Sequence, residues 1–596
     1  MCGIAGTLDR DGPVEPGLVE RMCETLAHRG PDSRGVFTDD GVAVGVARLA
    51  VIDVDGGDQP IATENGDVVV VCNGEIYNYR ELREELSGRG HRFSTRSDTE
   101  VIAHLYEELG DACVEPLRGM FAFALWDRRR HRLLLARDRV GKKPLFYAAQ
   151  GGRLWFASEL RAILVDERVP RDLDHAALDL YLHYQSVPAP LSAFAALRKL
   201  PPAHTLAWQD GEVSVRRYWS LSYRDREPVP SEEEACERIR ETLIEATALR
   251  LRSDVPVGAF LSGGVDSSAV VAAMARLTSE PVKTFSIGFD VGDYDETPYA
   301  REVAERYGAD HHELILDQRA FDQLPRMVWH YGEPFADSSA VATFALAELA
   351  ARHVTVALNG DGGDESFGGY ARHARPPLPN VATERRYAAR RAHRYFDEPE
   401  RAALYTPEFA ELVAGNDWRA PVEDIYFACD SEDPRERLLA VDAAMYMPDD
   451  LFVKMDVATM AHSLEARSPF CDQQLMELAA ALPMSMKVGE NDPKALLKRA
   501  VRPWLPERAI DRPKVGFAIP MEEWLRRNGV ADVLLDPRTL ERGLFRGERV
   551  ETLLSEQRDG VGDHSYQVWS LLVLELWFRT YVDRAAVDAP LELAAA

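Results

Sequence analysis

Cys2, in "MCGIAGTLDR", places a thiol one residue from the chain start, where chains usually fray and pack against little. The side chain after Met1 is small, so removal of the initiator is expected and leaves Cys2 as the first residue. Thiol and α-amine then share one residue, which supplies a nucleophile and its base as a unit. A second chemical stretch is "FLSGGVDSS", 260–268. There a hydrophobic strand runs into Ser262-Gly263-Gly264, and Asp266, Ser267 and Ser268 open the following helix. Amides, hydroxyls and a helix N-terminus together cradle an oxyanion, and pyrophosphate fits. An aspartate inside the cradle repels phosphate unless a cation intervenes, so Asp266 implies Mg²⁺. No G-K-[ST] follows, which excludes the Walker loop. A third stretch, "LNGDGGDESFGGY" at 358–370, also follows a predicted strand. Loops at the carboxyl ends of neighbouring parallel strands face one crevice, which brings Asp266 and Asp364 together as joint metal ligands.

The elements that must position these groups fall into two textures. Residues 1 to about 160 hold β-like runs such as "GVAVGVARLAVIDV", "DVVVVCNGEIYN", "RLLLARD" and "LWFAS", with helical patterns at "LVERMCETLAHR", "YRELREELSGRG" and "DTEVIAHLYEELG". This predicts a layered α/β region with antiparallel pairing. From about 235, strand-like "VPVGAFL", "KTFSIGF" and "HVTVALN" alternate with helical "SSAVVAAMARL", "TPYAREVAERYG" and "SAVATFALAELAARH". That alternation predicts a parallel sheet covered by helices. Between them "REPVPSEEE", 226–234, reads as a linker leading into a helix, and the arginine-rich "ERRYAARRAHRYF" reads as a solvated helix face. The end, "AAVDAPLELAAA", reads as a loose tail.

Composition narrows the class. With 596 residues the chain exceeds one ordinary core, so two large domains are expected. No apolar run approaches a membrane span and no signal-peptide pattern is present, so a cytoplasmic protein with no membrane partner is the default. Asp and Glu total 98 against 70 Lys and Arg, and a net charge of −28 argues against a broad nucleic-acid surface. The seven cysteines form no C-x-x-C pair and the 15 histidines no H-E-x-x-H, so spacing offers no structural metal site.

"SGGVDSS" resembles the pyrophosphate loop of the ATP-pyrophosphatase synthetases, and its pairing with "MCGIAG" is similar to glutamine-hydrolysing asparagine synthetase. The resemblance runs through "HRGPDSRG", "ARLAVIDV", "NGEIYNYRELR", "SDTEVIAHLYEELG", "LRGMFAFALWD", "ARDRVGKKPLFY", "LRKLPPAH", "KMDVATMAHSLEARSPFCD" and "KVGFAIPMEEWLR". It implies an αββα glutaminase domain over 2–220 and an ATP-pyrophosphatase domain with added helices over 235–596, with a homodimer as a compatible assembly. It implies that Cys2 attacks the side-chain amide of glutamine and that Asn73 and Gly74 donate to the oxyanion, a contribution of about 3 kcal/mol per donor. Arg48 would hold the substrate carboxylate, Asp98 its ammonium, and Leu49, Ala50, Val51, Ile52 and Glu75 would complete the pocket. In the second domain ATP would meet Leu261, Ser262, Gly263, Gly264, Asp266, Ser267, Ser268, Ile287, Asn359 and Gly360. Mg²⁺ would bind Asp266 and Asp364, and Lys494 would sit near the departing phosphate.

One departure concerns the acceptor. Asparagine-making members commonly read S-G-E-G where this chain has Asn359-Gly360-Asp361-Gly362, so the acid linked to adenylate formation, Asp361, is shorter by a methylene. Aspartate remains the favoured acceptor, with Arg467 as a candidate carboxylate partner. A different carboxylate, as in cell-wall or natural-product pathways, is the alternative. A non-catalytic homologue is disfavoured by intact Cys2, Asp98 and "SGGVDSS". An enclosed ammonia path between the sites is implied, with no residues identified.

Overall fold

The computed structural model describes residues 2–224, 229–291, 294–374, 395–512, 519–525, 529–584, 587 and 589–591. Most of the arginine-rich run, and parts of the linker, of "KVGFAIPMEEWLR" and of the tail, lie outside them.

Twelve strands build the N-terminal half. They are β1 (Cys2–Asp9), β2 (Ser33–Asp39), β3 (Val42–Arg48), β4 (Ile61–Ala62), β5 (Val68–Ile76), β6 (Gly119–Asp127), β7 (Arg132–Arg137), β8 (Phe146–Gln150), β9 (Arg153–Ala157), β10 (Leu197–Lys199), β11 (His204–Gln209) and β12 (Glu212–Arg217). They form two six-stranded sheets, ordered β10-β8-β9-β1-β3-β2 and β12-β11-β7-β6-β5-β4. Every pairing within them is antiparallel.

Alternation decides how the sheets stack. Cys2, Ile4 and Leu8 of β1, with Val42, Val44 and Val46 of β3, meet Val71, Ala122, Ala124, Leu133 and Leu135 from the opposite sheet. The outer faces pack on helices. Ala5, Ala43 and Ala47 lie in one core with Val19, Met22 and Cys23 of helix Leu18–Thr25, and Val70 and Cys72 lie in another with Val101 and Ile102 of helix Glu100–Leu109. The result is the expected αββα layering.

The C-terminal half centres on a five-stranded, all-parallel sheet ordered β15-β14-β13-β16-β17. Its strands are β13 (Val257–Phe260), β14 (Lys283–Phe289), β15 (Asp310–Leu316), β16 (Val356–Leu358) and β17 (Glu465–Arg467). The strand patterns read from sequence match β13, β14 and β16. They missed β15, whose "DHHELIL" is polar and largely solvent-facing because it lies at an edge, and β17, which spans three residues. The helix after the linker is Glu232–Arg250, started by a capping box between Ser231 and Glu234. Helix Ser565–Tyr581 is buried along most of its length, and its Trp577 indole donates to Gly332 O at 2.8 Å. Among the described residues no helix is long and apolar enough to cross a membrane.

Buried charges join the halves. Asp456, on helix Phe452–Met460, accepts from Arg29 Nη2 at 2.8 Å and from Lys143 Nζ at 3.0 Å, and all three side chains are buried. Burial alone would raise the Asp456 carboxyl, but the two cations outweigh it and hold it below the usual carboxylate range. Asp456→Ala leaves both cations without that counter-ion in a site closed to water. We expect a loss of about 3–5 kcal/mol, read as an earlier urea midpoint. Arg10→Ala, which removes an exposed pair with Asp11, should leave the midpoint unchanged.

Candidate active sites

Antiparallel register sets Cys2 opposite Arg48, with the thiol between the two N-terminal sheets and only 4% of the residue exposed. The Cys2 N–H donates to Asn73 Oδ1 at 3.2 Å, and Gly74 follows on β5. Ser158 Oγ accepts from Ile4 N–H at 3.0 Å and lies 3.5 Å from Asn73 Nδ2, which fixes the amide. Burial pushes the Cys2 thiol up, so at neutral pH it is a thiol and needs a base to become a nucleophile.

Strand β3 stops at Arg48, although the apolar run continues to Ile52, because that side chain gathers the next loop. Nη1 donates to Val54 O at 3.1 Å and Asp58 Oδ1 at 3.0 Å, and Nη2 to Ile52 O at 3.2 Å and Asp53 O at 2.7 Å. Leu49, Ala50, Val51 and Ile52 are thereby held as a buried wall, with Ala50 N–H donating to Asp32 Oδ2 at 2.8 Å. Asp98 is buried and accepts from Ile76 N–H at 2.8 Å, and burial raises its carboxyl. Glu75 differs from its neighbours. Its carboxylate lies 3.5 Å from Arg467 of β17, across the domain boundary.

In the second half, β13 and β16 are neighbours while the chain leaves β13 for β14 on the other side. This is a topological switch point, where loops diverge and leave a crevice. The loop after β13 turns through Gly263 at φ +72°, where an added Cβ would lie 2.6 Å from Ala300 N. Only glycine fits. Ser262 N–H and the Ser262 hydroxyl meet Ser267 Oγ at 3.2 and 3.0 Å, and Gly264 N–H donates to Ser262 Oγ at 3.3 Å. Leu261 and Ile287 are buried beside this turn, whereas Ser268 is buried within helix Val265–Leu277.

The loop after β16 packs directly on it. A Cβ at Gly360 would meet Asp266 Cβ and Ser267 N at 2.8 Å, so glycine permits the approach. Lys494 then bridges the clusters, its ammonium 2.6 Å from Asp266 Oδ2 and 2.8 Å from Asp364 Oδ1. Burial would lower this lysine, but the flanking carboxylates outweigh it and hold it raised. Asp266 and Asp364 therefore converge on one cation-sized position. Asp361 accepts from Asn359 Nδ2 at 2.8 Å, and its backbone carbonyl accepts from Cys471 Sγ at 3.2 Å.

The reading of Arg467 as an acceptor partner is corrected. Its guanidinium is fully buried and donates to Glu465, to Arg250 O and to Arg252 O, besides facing Glu75. It ties the domains together and presents nothing to a crevice. Two further charged groups, whose motifs give little sign of it in sequence, stand beside the sites. Arg29, in "HRGPDSRG", donates to Cys2 O at 3.2 Å and to Glu159 Oε1 at 3.0 Å besides Asp456. Lys142, in "VGKKPLFY", crosses from the N-terminal half, donates to the Ser468 hydroxyl and lies 3.7 Å from Asp361 Oδ2. A paired lysine motif was the only available signal.

Comparison with known proteins agrees in extent with this architecture. The family model described as asparagine synthase matches residues 238–579, and the glutamine amidotransferase domain model matches residues 1–219. The chain is 32% identical to "Asparagine synthetase [glutamine-hydrolyzing] 1" of Bacillus subtilis, covering 98% of this chain and 97% of that protein. It is 33% identical to a "Putative asparagine synthetase [glutamine-hydrolyzing]" of Mycobacterium bovis, covering 98% of each. "Amidase chry2" of Gibberella zeae is 29% identical over 88% of this chain and 90% of its own. With a thiol between antiparallel sheets, a glycine-serine cradle at a parallel-sheet switch point, and these matches end to end, the chain belongs to the glutamine-hydrolysing asparagine synthetase family.

Proposed function

We propose that this protein is a glutamine-dependent asparagine synthetase, with residues 2–220 as glutaminase and 235–596 as synthetase. The observation that carries the reading is that Lys494 draws Asp266 and Asp364 together beside the 262–268 turn. In the first site, the α-amine freed at Cys2 takes the thiol proton and Sγ attacks the glutamine amide carbon. Asn73 Nδ2 and Gly74 N–H stabilise the oxyanion, ammonia leaves, and water resolves the thioester to glutamate. Asp98 pairs with the substrate ammonium, and Arg48 with the loop it gathers faces the substrate carboxylate.

In the second site, Ser262, Gly264, Ser267 and the helix that follows receive pyrophosphate, with Leu261, Ile287, Asn359 and Gly360 against the nucleoside. Asp266 and Asp364 suit a hard cation, and would hold Mg²⁺, which supplies charge neutralisation at the phosphate oxygens. Lys494 adds a second positive charge there. The acceptor carboxylate attacks the α-phosphate of ATP, pyrophosphate leaves, and ammonia displaces AMP from the β-aspartyl adenylate. Asp361 and Lys142 flank the position of that exchange. The likeness to a protein named an amidase, together with aspartate at position 361, keeps a different carboxylate acceptor as the second reading.

Three measurements test the reading. Cys2→Ala should abolish glutaminase activity while synthesis from ammonium salt persists, and loss of both in a folded variant contradicts the division of labour. Lys142→Met should lower ammonium-dependent synthesis by about 10-fold, since it removes a charge from the second site, with glutaminase turnover within about 2-fold of the parent. In an acceptor panel with ATP, Mg²⁺ and glutamine, aspartate should stimulate pyrophosphate release and yield asparagine. If saturating aspartate leaves release at background while another carboxylate raises it, the second reading replaces the first.

A further inference from the structure

Four side chains converge where helix Glu100–Leu109 meets the turn between β4 and β5, and none of them has been assigned to either site. His104 and Glu107 stand three residues apart on one face of helix Glu100–Leu109. His91 follows helix Tyr79–Gly88, and Glu64 lies in the turn between β4 and β5. One atom from each of the four lies within 4.8 Å of every other. His91 Nδ1 and His104 Nδ1 face each other at 3.1 Å. Glu107 Oε2 lies 3.5 Å from both, and Glu64 Oε2 lies 3.6 Å from His104 Nδ1.

Tautomers decide what this arrangement needs. His91 Nε2 lies 3.0 Å from Glu108 Oε1, and His104 Nε2 faces Glu100 Oε1 at 3.8 Å. Glu100 is itself an acceptor-only group, held by the N–H and hydroxyl groups of Ser94 and Thr95. His91 Nε2 is therefore the protonated nitrogen of its ring, as is usual when a carboxylate orients a ligating histidine, whereas His104 Nε2 is buried without a hydrogen-bond partner and leaves that ring's tautomer to its inner contacts. His91 Nδ1 then presents a lone pair to His104 Nδ1 and to the Glu107 carboxylate, and with His104 protonated at Nε2 its own Nδ1 does the same toward Glu107 and Glu64. In that tautomer four acceptors surround one point, an arrangement that a cation satisfies. Ligands at about 2.0–2.1 Å in a tetrahedron stand about 3.3 Å apart, close to the separations found here.

We propose that Glu64, His91, His104 and Glu107 form a closed, tetrahedral site for a divalent transition metal of the zinc class. The donor set of two imidazoles and two carboxylates suits zinc. Four protein ligands leave no open position, so the site is structural. It fastens the β4–β5 turn to the helix that begins just after Asp98. The rival occupant of the same space is a proton shared by the two rings.

The test uses the full-length chain after chelator treatment. Titration with Zn²⁺ against a chromophoric competitor should show one equivalent bound with a raised melting temperature, and Co²⁺ should give the intense visible spectrum of a tetrahedral site. His91→Gln and Glu64→Gln alter partly exposed side chains, so folding is expected to survive. Each should weaken Zn²⁺ binding by roughly 10- to 100-fold or more and remove the visible band, and Glu108→Gln should give a smaller loss through the outer shell. Because Cys2 also offers a thiol, the titration is repeated in Cys2→Ala, where binding must persist. Failure to take up one equivalent, uptake unchanged in His91→Gln, or uptake lost in Cys2→Ala overturns the proposal. In the first of these cases the rings share a proton.

Discussion

Asp456 sits in a region closed to water, where a carboxylate is tolerated only if cations complete it, and both cations that do so come from the other half of the chain. The same constraint recurs along one short segment. Arg467 is paired within its own strand by Glu465 and faces Glu75 of the other half at 3.5 Å, and Asp472 accepts from Arg118 Nη2 at 2.7 Å and Arg250 Nη1 at 2.9 Å. Residues 454–472, "KMDVATMAHSLEARSPFCD", thus form the spine on which the N-terminal sandwich docks. Apolar contacts across the boundary supply area, but charges in a low-dielectric setting accept few geometries. They set the relative position of the halves.

That position links the two sites. Lys143 donates to Asp456, which also receives Arg29, and Arg29 in turn donates to the carbonyl of Cys2. The adjacent Lys142 points to Ser468 and Asp361. Two neighbouring lysines therefore belong to different networks, one beneath the thiol and one beside the acid of the second crevice.

The thiol site shows the same economy in backbone. Arg48 ends β3 by collecting the carbonyls of residues 52–54, so one side chain both terminates a strand and shapes the wall beside Cys2. Burial raises the Cys2 thiol above its ordinary value.

Much of this was legible in the sequence because it is local. Period-2 and period-3.6 patterns marked β3, β5, β7, β9, β13 and the helices beside them, and "SGGVDSS" and "NGDGGDES" carry their turn glycines and acids in order. Even the meeting of Asp266 and Asp364 followed from parallel strands alone. Edge strand β15 did not show, since its exposed edge needs no continuous apolar run, and β17 did not show because it spans only three residues. The roles of Arg29, Lys142 and Arg467 did not show either. A charged residue reads as solvated until its partners are found, and here Asp456 for Arg29, Ser468 for Lys142 and the Arg250 carbonyl for Arg467 each stand more than 200 residues away. The histidine pair at 91 and 104 was hidden likewise, because its spacing matches no linear motif and a turn closes the cluster. Local pattern determined which elements and loops exist, whereas burial of charge, a property of the packed interior, decided what each charged residue does.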